Sequence, residues 1–394
     1  MSKQKIRVVF YCNQLGIGGT ERSIELFCKY LNKDKHDVYV VSRIQNPSFL
    51  KKVRIEVSSL LGFDSAKAKK QIWSQQNTRV PRFQALLGEE RTLFAKDDLD
   101  LRKILLKLSP DILHVWYSGT PEPPTSDEEI MGKLPVVITT NSFEIENTAP
   151  AHRHVKEFFF PSSWVLNHKA LWAKNDPRAG VFYSPIEKPL TNNHFREKLQ
   201  IPAHAFVVGR VGRADPGIYD PLSLFAYKKI QDEKTFFLAL TPPHNMVRDA
   251  KKMGLKNFIC FQALDQEGLS AFYNTLDVLA HGRRDGETFG CSIAEAMMHG
   301  KPVVSHLTKF MNAQQEVIGE GGFVCQEEDW QAYADRLEML KDPALRESYG
   351  EKAFERALQE FEVEKLTQRL EQLYQKHFNI ISCRTSSIGA FTFW

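Results

Sequence analysis

Short apolar runs alternate along the chain with stretches whose apolar residues recur every three or four positions. The runs at residues 6–12, 38–41, 112–116, 136–139 and 158–160 are too short for helices and are flanked by polar or turn-forming residues. They read as buried strands. Between the first two, residues 20–31 carry Ile24, Phe27, Cys28 and Leu31 on one helical face, and residues 99–108 repeat at the same spacing until Pro110. The alternation is cleaner in the second half. Strands read at 206–211, 236–240, 258–260, 278–280 and 302–305, with helices at 291–299, 330–340, 343–361 and 363–378. Such an order predicts the α/β class with doubly wound parallel sheets. A length of 394 residues suits two domains, each of roughly 190 residues and large enough for its own core. The segment 185–193, with its Pro and Asn residues, marks the boundary. The expected domains are 1–188 and 189–361, followed by a helix at 362–378 and a tail, 379–394, with no strong pattern.

Composition narrows the class. At 42% hydrophobic and 25% charged the chain is ordinary for a soluble protein, and no apolar run reaches the ~18 residues of a membrane span. The run at 6–12 is short and passes into a glycine loop, so it reads as a first strand and not a signal peptide. The six cysteines have no metal-ligand spacing, and most sit in apolar runs. Reduced, buried thiols in a cytoplasmic protein are expected. A net charge of +4 is too mild to argue for nucleic acid. One stretch is uneven: residues 51–82 hold eight basic residues, among them Arg79 and Arg82, against Glu56 and Asp64, with Phe63, Trp73 and Phe83 interleaved. It reads either as a solvated insertion or as a peripheral membrane contact that docks on anionic lipid or an anionic acceptor.

Candidate chemistry concentrates at residues 281–305. A strand leads into a loop with Gly282, Gly286 and Gly290, then a helix that Gly300 and Pro302 stop. Glu287 lies in the loop and Glu295 in the helix, with seven residues between them. Open α/β sheets bind ligands at the carboxyl ends of their strands, and a carboxylate can grip two sugar hydroxyls at once. The helix start near Gly290 and Cys291 suits a phosphate. The competing reading makes Ser292 and Glu295 a capping box and Glu287 a solvated loop acid. Earlier, Gly16-Ile17-Gly18-Gly19 follows the first strand, and such a turn lets a ligand approach the backbone. A dinucleotide fingerprint would need a third glycine where Glu21 stands, and an acid after the second strand where Ser42 and Arg43 stand.

The stretch GETFGCSIAEAMMHGKPVVS resembles the Glu-x7-Glu signature of the retaining glycosyltransferases of family 4. Glu287, Phe289, Gly290, Glu295, Ala296, Met297, Gly300, Pro302, Val303 and Val304 all match it. The resemblance covers about residues 5–378. It implies the GT-B fold, two Rossmann-like domains facing a cleft, with a last helix that crosses back to the first domain. It further implies that Glu287 contacts the transferred sugar and Glu295 the ribose of a nucleoside-diphosphate sugar. Phe289, Gly290 and Cys291 would complete that side of the donor site. GGTERSIELFCKYL resembles the family's opening, which brings Gly18 and Gly19 to the donor. GRVGRADPGIYDPL resembles its diphosphate clamp, with Arg213 as the arginine and Arg210 nearby. Ile218 stands where the clamp lysine is expected, so Arg210 is the nearest candidate for the missing charge. PDILHVW resembles the family's PDxxHxH, with His114 in the first His position, Trp116 in the second and Asn141 at a further one. These three are candidate acceptor-side residues, although a histidine in an apolar strand is more often a satisfied core residue than a catalyst, and His114 reads as one. The implied activity is retaining, metal-independent sugar transfer to a glycan or lipid-linked acceptor, without a cofactor. A sugar-nucleotide 2-epimerase of the same fold and a non-catalytic nucleotide-sugar-binding protein are the alternatives.

Overall fold

The computed structural model describes residues 4–43, 57 and 78–388. The chain divides into two compact units: one runs to Pro185 and resumes at Val363, and the other contains Ile186–Glu362.

The first unit is built on seven strands: β1 (Ile6–Cys12), β2 (His36–Arg43), β3 (Thr92–Ala95), β4 (Ile112–Tyr117), β5 (Val137–Asn141), β6 (Val155–Phe160) and β7 (Ala179–Val181). They lie in the order β3-β2-β1-β4-β5-β6-β7, and every pairing is parallel. Strand β1 shows why an uninterrupted apolar run was needed. Val8, Phe10 and Cys12 point into one core with Ile24, Phe27 and Cys28 of the helix Gly19–Tyr30. Val9 and Tyr11 point into the other, with Leu101 and Leu105 of the helix Asp98–Leu108. Both faces are covered, as parallel sheets require. The last helix, Val363–Ile388, completes the first core with Leu366, Leu370 and Tyr374. It continues past residue 378, so part of the segment expected to lack a pattern is helical.

Two further expectations need correction. Phe83 is wholly buried in the first core, and Arg79 and Arg82 pair with the buried Glu25, which Arg22 also meets. The carboxyl end of the basic stretch is therefore part of a packed ion cluster. Its other basic residues lie outside the described residues. Cys260 is exposed and Cys291 half-buried, while Cys12, Cys28 and Cys325 are buried, free thiols. No helix among the described residues is long and apolar enough to cross a membrane.

The second unit holds β8 (Phe206–Val211), β9 (Thr235–Leu240), β10 (Phe258–Phe261), β11 (Val278–Ala280), β13 (Val303–His306) and β15 (Gly322–Cys325), all parallel, in the order β10-β9-β8-β11-β13-β15. Two short strands, β12 (Gly286–Glu287) and β14 (Met311–Asn312), pair with each other. In both sheets the order reverses beside the first strand, between β1 and β4 and between β8 and β11. Reversal opens a crevice at the carboxyl ends of the strands there.

Candidate active site

The second switch point gathers the residues of the signature. Strand β8 brings in Arg210, and its neighbour β11 delivers the chain to His281. Arg210 is 4% exposed, and its Nη1 has no hydrogen-bond partner. Burial pushes its pKa down to about 10 and the Arg283 charge adds to that, while Tyr219 and Glu287 act the other way. Two residues on, Gly212 keeps the guanidinium uncovered from that side: a Cβ there would stand 2.9 Å from Arg210 Nη2. Arg213 is exposed and close enough to act on Glu287.

Two glycines shape the loop. Gly286 has φ 69°, and a side chain there would collide with the Met311 carbonyl, so only glycine lets β12 lie against β14. Gly290, at φ 96°, is the N-cap of the helix Cys291–Met298. A Cβ on it would stand 2.9 Å from Ile293 Cδ1 and 3.3 Å from Glu287 Cγ. Since Gly290 is the N-cap and no side chain caps the helix, Ser292 and Glu295 form no capping box.

Glu287 is held from several sides. Its Oε1 lies 3.1 Å from His281 Nε2, and Arg283 Nη1 donates to Oε2 at 3.3 Å. Its backbone N–H donates to Gln314 Oε1 at 3.3 Å, and its carbonyl accepts from Ala313 N–H at 3.1 Å. An ionised carboxylate only accepts, so His281 Nε2 carries a proton and donates it, while His281 Nδ1 lies 2.8 Å from Ser305 Oγ. Burial raises the Glu287 pKa, but Arg283, His281 and Arg213 outweigh it and leave the net shift downward. Glu287 is thus a charged acceptor fixed in place.

Glu295, half-buried, accepts at Oε2 from Tyr273 Oη at 2.7 Å. The Tyr273 phenol is pushed far up by burial and by the Glu295 charge, so it stays a donor. Its ring also lies against His299, 5.0 Å between centroids. Phe289 plays a different part from the one its position suggested. It is 3% exposed and edge-on to Phe361, so only its main chain can serve a ligand. Cys291 opens the helix behind Gly290.

The first unit supplies the other candidates. Gly18 is the N-cap of the helix Gly19–Tyr30, in extended conformation. The carboxylate of Glu21 folds back over Gly18, and Gln14 Nε2 donates to it at 2.8 Å. A buried carboxylate at this helix start opposes a pyrophosphate there, consistent with the absence of a dinucleotide fingerprint. His114 has both ring nitrogens occupied, Nδ1 by Tyr374 Oη at 2.7 Å and Nε2 by Thr140 Oγ1 at 2.9 Å. Burial drives its pKa down to about 3. It is a satisfied core histidine, the explanation that its apolar strand favoured. Trp116 is buried beside it, and Asn141 is buried at the carboxyl end of β5.

Comparison with known proteins covers both units of the chain. The profile described as "Glycosyl transferases group 1" matches residues 192–356, and that described as "Glycosyltransferase Family 4" matches residues 17–180. The chain belongs to the group 1 glycosyltransferases. It is similar to the capsular polysaccharide biosynthesis glycosyltransferase CapM of Staphylococcus aureus, 27% identical over 47% of this chain and 50% of the relative. It is also similar to trehalose synthase of Pyrococcus horikoshii, 27% identical over 44% of each chain. The matched region thus spans half or less of these relatives. Among solved structures, HepE of Anabaena in complex with UDP and glucose aligns with a TM-score of 0.65 at 15% identity, over 94% of this chain and 100% of that one. A glycosyltransferase from Rickettsia africae aligns with a TM-score of 0.68 at 15% identity, over 95% and 99%. These likenesses establish the GT-B fold for this glycosyltransferase.

Proposed function

We propose that this glycosyltransferase binds a nucleoside-diphosphate sugar on its second unit and transfers the sugar, with retention and without a metal, to a glycan or lipid-linked acceptor. The observation that carries this reading is Arg210. A buried guanidinium with an unpartnered nitrogen costs about 1–3 kcal/mol unless a ligand meets it. It stands at a switch point, beside an exposed arginine, a charged carboxylate and a helix start. A diphosphate satisfies such a site, and the attached sugar reaches the carboxylate. The UDP and glucose in the HepE structure, and the polysaccharide role in the CapM name, favour the same substrate class.

As the glycosidic bond breaks, negative charge grows on the β-phosphate oxygen. Arg210, Arg213 and the amides at Gly290 and Cys291 receive it without reorganising, each such donor contributing about 3 kcal/mol. Glu287 orients a hydroxyl of the sugar being moved, and Glu295, steadied by Tyr273, accepts from the ribose. Because the leaving group is itself anionic, it can take the acceptor's proton, and the arginines do the work that a divalent cation does elsewhere.

The test of ligand class is a thermal-shift panel. UDP or GDP should raise the melting temperature, by an amount that corresponds to about 2.7 kcal/mol at a hundredfold excess over Kd, and NAD should not. Stabilisation by NAD and by no nucleoside diphosphate overturns the reading, and binding of a nucleotide sugar without any turnover would leave only a binding protein. From an α-linked donor the product anomer, read by NMR, should be α; a β product excludes retention.

Glu295 provides a separate check by calorimetry. Glu295→Gln should weaken nucleotide binding by about 1–3 kcal/mol through loss of a charged acceptor. Tyr273→Phe, which leaves the carboxylate in place but unsteadied, should weaken it less. Full affinity in Glu295→Gln would assign Glu295 to packing against Tyr273 alone.

A further inference from the structure

With a diphosphate bound, the donor site holds more negative charge than Arg210 and Arg213 balance. Glu287 is charged, Asp285 stands two residues away, and a diphosphate adds at least two more negative charges. Ile218, in the position where a lysine was expected, contributes nothing. The segment that carries Ile218 is nevertheless fastened to a basic one: Tyr219 bridges Arg283, and Arg284 N–H donates to the Ile218 carbonyl at 3.0 Å. The Arg283 side chain is largely buried, 21% exposed, and its fork is anchored. Nε donates to Asp285 Oδ1 at 2.6 Å, Nη2 to Asp285 Oδ2 at 3.0 Å and Nη1 to Glu287 Oε2 at 3.3 Å. A guanidinium has five N–H donors, so these three bonds leave one on each terminal nitrogen. It touches Glu287, and its charge acts on both Glu287 and Arg210, the groups assigned above to the sugar and the diphosphate.

We propose that Arg283 is the second cation of the diphosphate clamp: it donates to the donor's β-phosphate with one nitrogen while holding Glu287 with another. The inference rests on the donor site described under the proposed function. It assigns to the loop before Glu287 a charge that would otherwise come from residue 218. An arginine suits this double task because its planar fork can satisfy a carboxylate and a phosphate at once. A lysine at the same place would serve as a point charge.

Calorimetry with UDP, GDP and the matching monophosphates tests it on the full chain. Arg283→Met should weaken the diphosphate by about 30-fold or more and the monophosphate by less than about threefold, as expected for a lost charge-assisted bond to the outer phosphate. Arg284→Met, which removes the exposed neighbour, should leave both unchanged. The double variant R283M/E287Q separates contact from screening: under the proposal it stays weak for the diphosphate. Recovery of diphosphate affinity in R283M/E287Q would show that Arg283 only neutralises Glu287 and would overturn the assignment. So would equal losses for mono- and diphosphate, or no loss at all in Arg283→Met. Arg213→Ala, measured alongside, keeps the two readings apart. If it weakens UDP or GDP while Arg283→Met does not, the donor site stands and this inference falls. If the unmodified chain binds no nucleoside diphosphate, both fall.

Discussion

Replacing Arg210 by methionine should make the protein more stable and inactive at the same time. Burial brings the Arg210 pKa down from its ordinary value to about 10, a difference that corresponds to about 3 kcal/mol against the charged side chain in the fold. The sign follows from a base whose folded pKa is lowered. The penalty is fully present below pH 10 and is relieved only as pH rises through that value. Methionine fills similar space without the charge, and a substitution of this kind commonly stabilises. The melting temperature of Arg210→Met should therefore rise in the absence of ligand. Turnover, followed as donor hydrolysis or transfer, should fall about 100-fold or more, because a preorganised donor to the leaving phosphate is gone. Stabilisation by UDP or GDP should shrink in the same variant. A lower melting temperature would mean that the fold, and not a ligand, gives Arg210 its purpose.

Glu287→Gln should separate chemistry from binding. The amide keeps the shape of the side chain but loses the charge that Arg283 and His281 surround. Turnover should drop about 100-fold or more, while affinity for the nucleoside diphosphate alone changes little or improves, since one negative charge leaves the site. Equal loss of nucleotide affinity and turnover would make Glu287 a structural anchor of the loop. The pH profile gives a second handle. Burial raises the Glu287 pKa, but the two arginines and the histidine bring it below the ordinary carboxylate value. Its ionised form, and the stability it lends, persist above the unfolded pKa and are lost as pH falls through the lower folded one. Turnover in the unmodified protein should accordingly show no acid limb from Glu287 as pH falls from 7 to about 5.

Much of this was legible in the sequence, and the remainder was hidden for identifiable reasons. The strand–loop–helix frame of the signature follows from glycines and apolar runs that sit next to each other in the chain, so its register could be read. Arg210 could be named as a charge close to the clamp, but its burial depends on Tyr219 and on the neighbouring strand β11, which a linear reading does not show. His281 and Arg283 were visible as a histidine and an arginine just ahead of the loop acid. Their task was not, because it arises from the turn that folds them back on Glu287. Tyr273 gave no signal at all: it reaches Glu295 from a helix 22 positions earlier. The burial of His114 was expected of an apolar strand, but its partner Tyr374, 260 positions away, could not be named. Arg79 counted as part of a solvated basic run because its acid, Glu25, is 54 positions upstream. Phe289 matched its motif, and yet the ring belongs to the core.

The return of the chain to its first unit affects how the protein is made. Ile6, Phe10 and Phe27 emerge from the ribosome early, but Leu366, Leu370 and Tyr374, which close their core, follow only after the whole of Ile186–Glu362. At about 5–20 residues per second, that interval lasts on the order of ten to thirty seconds. During it the main segment of the second unit, Ile186–Glu362, can fold while the first still presents an open apolar groove to its surroundings. A chain that stops short of the last helix would carry the second unit attached to a first unit that cannot close.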